Sequence, residues 1–300
     1  MEFVFGWRQD ICSFCFSQEL IILGLMDSHF CIVYKKREVK VQMISEYMTK
    51  EVTTVDKDQE LKYVIELMKK HGFSKIPVLD EKKIVGLITD NMIAYKLGSI
   101  RTKEVTASRM HASSVMDKDI EIVTPKTKVK EVLKKVGEPG PTLLAVVEED
   151  ELVGVITKAD LLPLVKSSKR LHEVMRTDLK TVSPSDRVIH ARRVMIDDNV
   201  ARLLVMDADK LVGIISDVEI AFAFADLKEN VSLGHQKHRL EELLVQDVMK
   251  PTVFWTTKEV TCAEAASLML KHQIGCLPVM SEDKVVGIVT RTDLLKTILF

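Results

Sequence analysis

The sequence predicts an α/β fold, more closely an α+β repeat, in which one unit occurs four times. Three observations predict it. The phrase GIVTRTDLL (287–295) returns as GVITKADLL (154–162), and more loosely as GIISDVEI (213–220) and GLITDNMI (86–93). Met48, Met116, Met175 and Met249 each stand 38 residues before the glycine of a phrase, Gly86, Gly154, Gly213 and Gly287. Between methionine and glycine the same order of patterns recurs, without insertion or deletion in any copy. A fixed internal period of this kind marks stacked supersecondary units, and it outranks any single-element signal.

Each unit opens on a short extended segment (VTTV, IEIV, LKTV, VFWT) that leads into a helix. In copy one, Leu61, Val64, Ile65 and Met68 form an apolar face at helical spacing. Gly72, Gly140, Asn199 and, less typically, Gln273 stop the helices, because Gly and Asn tolerate the left-handed conformation that ends them. Two apolar runs joined by a charged turn follow, as in KIPVLD and KIVGLIT, and read as a hairpin of buried strands. A second amphipathic helix closes the unit, as in DLLPLVK and DLLKTIL.

The expected domains are 43–97, 111–166, 170–224 and 244–299, preceded by a leader, 1–42. A unit of about 55 residues lies near the lower limit for a self-sufficient core, so its apolar sheet face needs a partner. Four in a row suggest two intimate pairs. The copies are spaced by 68, 59 and 74 residues, which places longer connectors inside each pair, near 98–110 and 225–243.

Composition bounds the function. The chain has 300 residues, is 46% hydrophobic and 29% charged, and carries a net charge of −1. That is ample for a core, and it supplies no basic field to draw the chain to nucleic acid or an anionic membrane. Five cysteines are too few and too scattered for a disulfide framework, which suits a reducing, cytoplasmic setting. Cys12 and Cys15 have metal spacing, but no second pair completes a zinc site, so no metal is assigned. The leader is rich in Phe and Cys and shows no clear period. Glu19, Asp27 and His29 interrupt its apolar stretch short of a membrane span, and no signal-peptide pattern is present. A chain begun at Met43 is expected to fold and to bind ligand as the whole does.

The sequence resembles tandem cystathionine-beta-synthase (CBS) domain proteins. The resemblance rests on Ile76-Pro77-Val78 and Leu277-Pro278-Val279, on the Gly-x-x-Thr-x-x-Asp phrases and on the VM…TV openings, and it covers about residues 43–299. It implies four CBS domains in two Bateman modules, packed as a disc and similar in layout to the gamma subunit of AMP-activated protein kinase. It further implies adenosine-containing ligands in clefts between paired repeats.

The threonine and aspartate of the phrase admit two readings. Thr290 at the N-cap with Asp293 at the third helical position resembles a capping box, and a carboxylate there suits the helix dipole. A helix N-terminus directly after a buried strand is also a ready anion site. In the family this acid holds ribose, and the hydroxyl lies near ribose or the first phosphate. The resemblance therefore assigns nucleotide binding to Thr157 and Asp160 and to Thr290 and Asp293, with Ser216 and Glu219 as a weaker variant. Copy one has Thr89 but Met92 at the acid position, so its site is expected to be weak or empty. Lys75 and Arg202 share one slot in copies one and three, while Lys158 and Arg291 follow the site threonines of copies two and four. These four are candidate phosphate contacts.

No phosphate loop, H-E-x-x-H or G-x-S-x-G elbow is present, and the repeats leave no room for a catalytic barrel. The expectation is a non-catalytic sensor for AMP, ADP or ATP that needs no cofactor, acts on an unidentified regulated protein and is compatible with a homodimer. One alternative is a module for S-adenosylmethionine or a related nucleoside. Another is a scaffold or transcription-linked regulator with vestigial sites.

Overall fold

The computed structural model describes residues 18–26, 29–36, 42–98, 106–136 and 143–298. The chain divides into two compact units, residues 1–42 and 43–300. In the first, strands β1 (Gln18–Met26) and β2 (His29–Lys36) pair as an antiparallel hairpin with a register shift between Ile22 and Leu25. Cys12, Cys15 and Gly140 lie outside the described residues. Among the described residues no group of His, Cys, Asp or Glu could hold a metal ion, and no helix is long and apolar enough to cross a membrane.

The second unit repeats one motif four times. Copy one runs β3 (Val55–Asp56), α1 (Leu61–His71), β4 (Lys75–Asp80), β5 (Lys83–Thr89) and α2 (Asp90–Leu97). Strand β3 lies parallel to β4, with α1 as the crossover, and β5 returns antiparallel in the order β3-β4-β5. Leu61, Val64, Ile65 and Met68 are the buried face of α1, as their spacing predicts, and Gly72 ends the helix with φ 68°.

Copy two comprises β6 (Ile122–Val123), α3 (Val129–Val136), β7 (Leu143–Glu148), β8 (Glu151–Thr157) and α4 (Lys158–Leu161). The closing helix expected over DLLPLVK is shortened: α4 spans four residues and a 3-10 turn, Leu162–Leu164, completes it. Pro163 has no N–H to extend the α ladder.

Copy three comprises β9 (Thr181–Val182), α5 (Val188–Asp197), β10 (Arg202–Asp207), β11 (Lys210–Ser216) and α6 (Asp217–Asn230), followed by α7 (Leu233–Glu242). Most of the connector expected near 225–243 is therefore helical. Gln236 anchors it, its amide donating to the carbonyls of Lys228 and Val231. Copy four closes the chain with β12 (Thr256–Thr257), α8 (Cys262–Lys271), β13 (Cys276–Ser281), β14 (Lys284–Thr290) and α9 (Arg291–Lys296). Asn199 and Gln273 take φ of 51° and 53° just past their helices, the role the sequence predicts for them.

Each copy has two partners, where the sequence suggested one. The buried helix faces of copies one and three form a single core, and those of copies two and four form another. Across this division, the opening segment of each copy crosses to its sequence neighbour. Thr49 bridges Val155, Asp117 bridges Leu87, Arg176 bridges Ile288 and Lys250 bridges Ile214. These crossings give both landmarks of the repeat a partner. Met48 lies over Gly154, Met116 over Gly86, Met175 over Gly287 and Met249 over Gly213, so close that a Cβ at Gly287 would sit 2.5 Å from the Met175 sulfur. The landmarks are two halves of a reciprocal lock between paired copies.

Gly287→Ala is accordingly expected to cost about 1–3 kcal/mol through overpacking. Adding Met175→Ala opens space for the methyl, so the double variant should be more stable than the sum of the single effects by at least about 0.5 kcal/mol. Strict additivity in denaturant melts would show that the contact carries no coupling.

Candidate functional site

The crossing segments bring a second residue to every phrase. In copy two, Thr157 caps α4, with its hydroxyl accepting from the Ala159 N–H at 3.2 Å. Asp160 Oδ2 accepts from the Thr157 N–H and hydroxyl, both at 2.7 Å, and its Oδ1 accepts from the Thr49 hydroxyl of copy one at 2.9 Å. In copy four, Asp293 Oδ2 accepts from the Thr290 N–H at 2.9 Å and hydroxyl at 2.6 Å, while Oδ1 meets Arg176 Nε of copy three at 3.0 Å. In copy three, Glu219 Oε2 accepts from the Ser216 N–H at 3.0 Å and from its hydroxyl, while Oε1 meets Lys250 Nζ of copy four at 2.8 Å.

The two readings of the acid therefore coexist. One oxygen completes the capping box, and the other turns towards the neighbouring copy. Each carboxylate oxygen has two acceptor directions, so the outward oxygen can hold its present partner and a ligand hydroxyl together. In copy one, Thr89 accepts from the Met92 N–H at 3.3 Å, and Met92 offers no carboxylate. The residue facing it from copy two is Asp117.

Sequence reasoning missed the crossing residues, Thr49, Asp117, Arg176 and Lys250. A signal existed: each directly follows the repeat methionine. Their place beside a motif lying 25 to 117 residues away in the chain is visible only once the copies are paired.

The four candidate cations converge although each comes from a different copy. Burial holds the Lys75 ammonium below its ordinary pKa, and Arg202 and Arg291 push the same way against the opposing charge of Asp90. Lys158 is brought down to about 8, first by burial and then by Lys75 and Arg202. Burial, then Arg202, also lowers Arg291. Side chains that bear on one another in this way form one charge cluster.

Local contacts fix the members. Lys158 Nζ donates to Thr292 Oγ1 at 2.7 Å, and Arg291 Nε donates to the Ile274 carbonyl at 3.1 Å. The Arg202 guanidinium lies over Gly275, where a Cβ would come within 2.5 Å of it. Among the described residues no carboxylate lies within ion-pair distance of Lys75, Arg202 or Arg291. Two acids flank the cluster at the first helical positions of copies one and three. Burial raises Asp90 despite Lys75, and it raises Asp217 to about 7 with Asp90 adding to the effect. Partly dehydrated cations without counter-ions are costly to keep. A multivalent anion would relieve that cost.

The sequence profile of the CBS domain matches residues 44–99, 112–167, 171–226 and 245–299. The chain belongs to the CBS-domain family. Its four CBS domains form two Bateman modules, with the sheet crossings inside each module and the helical cores shared between modules. It is 27% identical over 271 residues to the uncharacterized protein MJ1404 of Methanocaldococcus jannaschii, covering 85% of this chain and 61% of that one. It is 24% identical over 281 residues to MJ1225 of the same organism, covering 86% of this chain and 98% of MJ1225.

The crystal structure of MJ1225, which carries the description of a candidate archaeal homolog of g-AMPK, superposes with a TM-score of 0.74 at 20% identity. The match covers 85% of this chain and 99% of that one. An uncharacterized conserved protein from Pyrococcus horikoshii follows at 0.53 and 20%, covering 86% and 100%. At these identities the likeness shows the shared fold.

Proposed function

We propose that this CBS-domain protein is a non-catalytic regulatory sensor that binds adenosine nucleotides in the clefts between paired repeats. One observation carries the reading: Lys75, Lys158, Arg202 and Arg291, one from each copy, gather in one half-buried cluster whose charges bear on one another. Phosphates directed there would touch several copies at once. Thr157 with Asp160 and Thr290 with Asp293 form the principal sites, and Ser216 with Glu219 forms a weaker one. The description of MJ1225 supports a signalling role, and the buried free thiols of Cys262 and Cys276 fit a reducing, cytoplasmic compartment.

Binding can signal only through a difference in affinity between two arrangements. Because the ligand would join copies that belong to different cores, it favours the arrangement in which the four cations meet. A regulated protein that grips one arrangement would then sense nucleotide.

Isothermal titration with AMP, ADP, ATP and S-adenosylmethionine tests the reading. The nucleotides are expected to bind more tightly, with affinity falling as salt rises. Preference for the sulfonium ligand would transfer the function to the alternative class.

Lys158 supplies a second test. A phosphate dianion beside it favours the charged ammonium, so binding should raise its pKa from about 8. At pH 8 about half of the side chain is neutral, and binding should take up as much as roughly half a proton per chain. Titrations in buffers of different ionisation enthalpy read this uptake, and Lys158→Met should remove it.

A further inference from the structure

The cleft of copy one, where Met92 stands in place of the motif acid, holds a cavity of about 870 Å³. Thr89, Met92 and Tyr95 line one side of it, and Asp117, Leu143 and Leu144 of copy two line the other. That volume lies within the usual range for small-molecule sites. We propose that this cavity is a further ligand site, that Asp117 supplies its carboxylate in trans, and that it takes an uncharged nucleoside in preference to a nucleotide. The proposal rests on the adenosine reading of the other clefts.

The other three clefts provide the ruler. There the crossing residue touches the motif acid directly: Thr49 to Asp160 at 2.9 Å, Arg176 to Asp293 at 3.0 Å and Lys250 to Glu219 at 2.8 Å. The crossing position and the acid position thus face each other across every cleft. In copy one the acid has changed sides, with Met92 on the motif and Asp117 on the crossing segment. A carboxylate remains at the meeting point.

The backbone of Asp117 is pinned by two hydrogen bonds with Leu87, each 2.9 Å. Its Oδ1 accepts from the Asp119 N–H at 3.0 Å. Its Oδ2 has no hydrogen-bond partner among the described residues, which leaves an acceptor for a ribose hydroxyl.

Charge selects the ligand class. The lining carries Asp117, Asp119 and Glu121 against Lys96 and Lys135, and Lys135 is already paired with Glu121 at 3.3 Å. None of the four clustered cations lines this cavity. A polyphosphate would therefore meet net negative charge here, whereas a nucleoside offers a diol to Asp117 and a flat base to the apolar walls and the exposed Tyr95 ring.

The test is an adenosine titration of the whole protein, with and without saturating ATP. One adenosine site should persist under ATP, and Asp117→Asn should weaken it at least about 10-fold while leaving the ATP isotherm unchanged. Asp117 is exposed, so the variant is expected to fold, and an unaltered melting curve checks this. Absence of an ATP-resistant adenosine site, or one indifferent to Asp117→Asn, overturns the proposal. If ATP itself fails to bind, the nucleotide reading of the other clefts falls, and the response of adenosine binding to Asp117→Asn still decides this one.

Discussion

Arg202→Met is expected to weaken AMP and ATP binding by roughly 10- to 150-fold, the effect of one hydrogen bond to a charged group. Arg202 stands within the electrostatic reach of Lys75, Lys158 and Arg291, so its loss affects phosphates at a junction of copies. The ligand-free protein should melt no lower than wild type, because removing one like charge relieves the others and a methionine keeps most of the packing. This combination separates a binding cation from a structural one. A large fall in melting temperature with nucleotide affinity intact would make Arg202 a fold-holding residue and remove the strongest support for a central phosphate site.

Asp293→Asn should cost a comparable factor at its own cleft by a different route. Asp293 is 8% exposed and joins the Thr290 cap to Arg176 of the neighbouring copy. Asparagine keeps one carbonyl for the cap but turns an amide towards the guanidinium. Loss of the charged cap and of a partly exposed ion pair should cost about 1–2 kcal/mol of stability. Nucleotide binding there should weaken about 10- to 150-fold, because a ribose diol prefers a charged acceptor. Thr290→Val provides the contrast, with a stability loss of about 1 kcal/mol from the missing cap hydroxyl. An Asp293→Asn isotherm identical to wild type would leave the aspartate as a helix-starting residue alone.

Much of this molecule was legible in its sequence, for reasons visible in particular residues. The repeat could be found because Met175 and Gly287, like their counterparts, meet across a module, so both landmarks are present in every copy. The hairpins and first helices followed from apolar periodicity and from stops such as Gly72. Thr290 and Asp293 stood out because N-capping chemistry is local.

What stayed hidden was non-local. Copies one and three share a core through α2 and α6, yet nothing in a linear pattern says which apolar face meets which. Arg176 and Lys250 look like solvated charges until the crossing places them against Asp293 and Glu219. Asp117 is the sharpest case. Met92 alone suggested an empty cleft, and only the pairing of copies shows a carboxylate facing it from the opposite wall.

The most direct measurement is a crystal structure of the protein with ATP bound. Adenosine moieties are expected in the clefts of copies two and four, with ribose at Asp160 and Asp293 and phosphates directed to Lys75, Lys158, Arg202 and Arg291. Saturating ATP that leaves those four side chains without a phosphate neighbour, or that binds outside the clefts, would contradict this expectation.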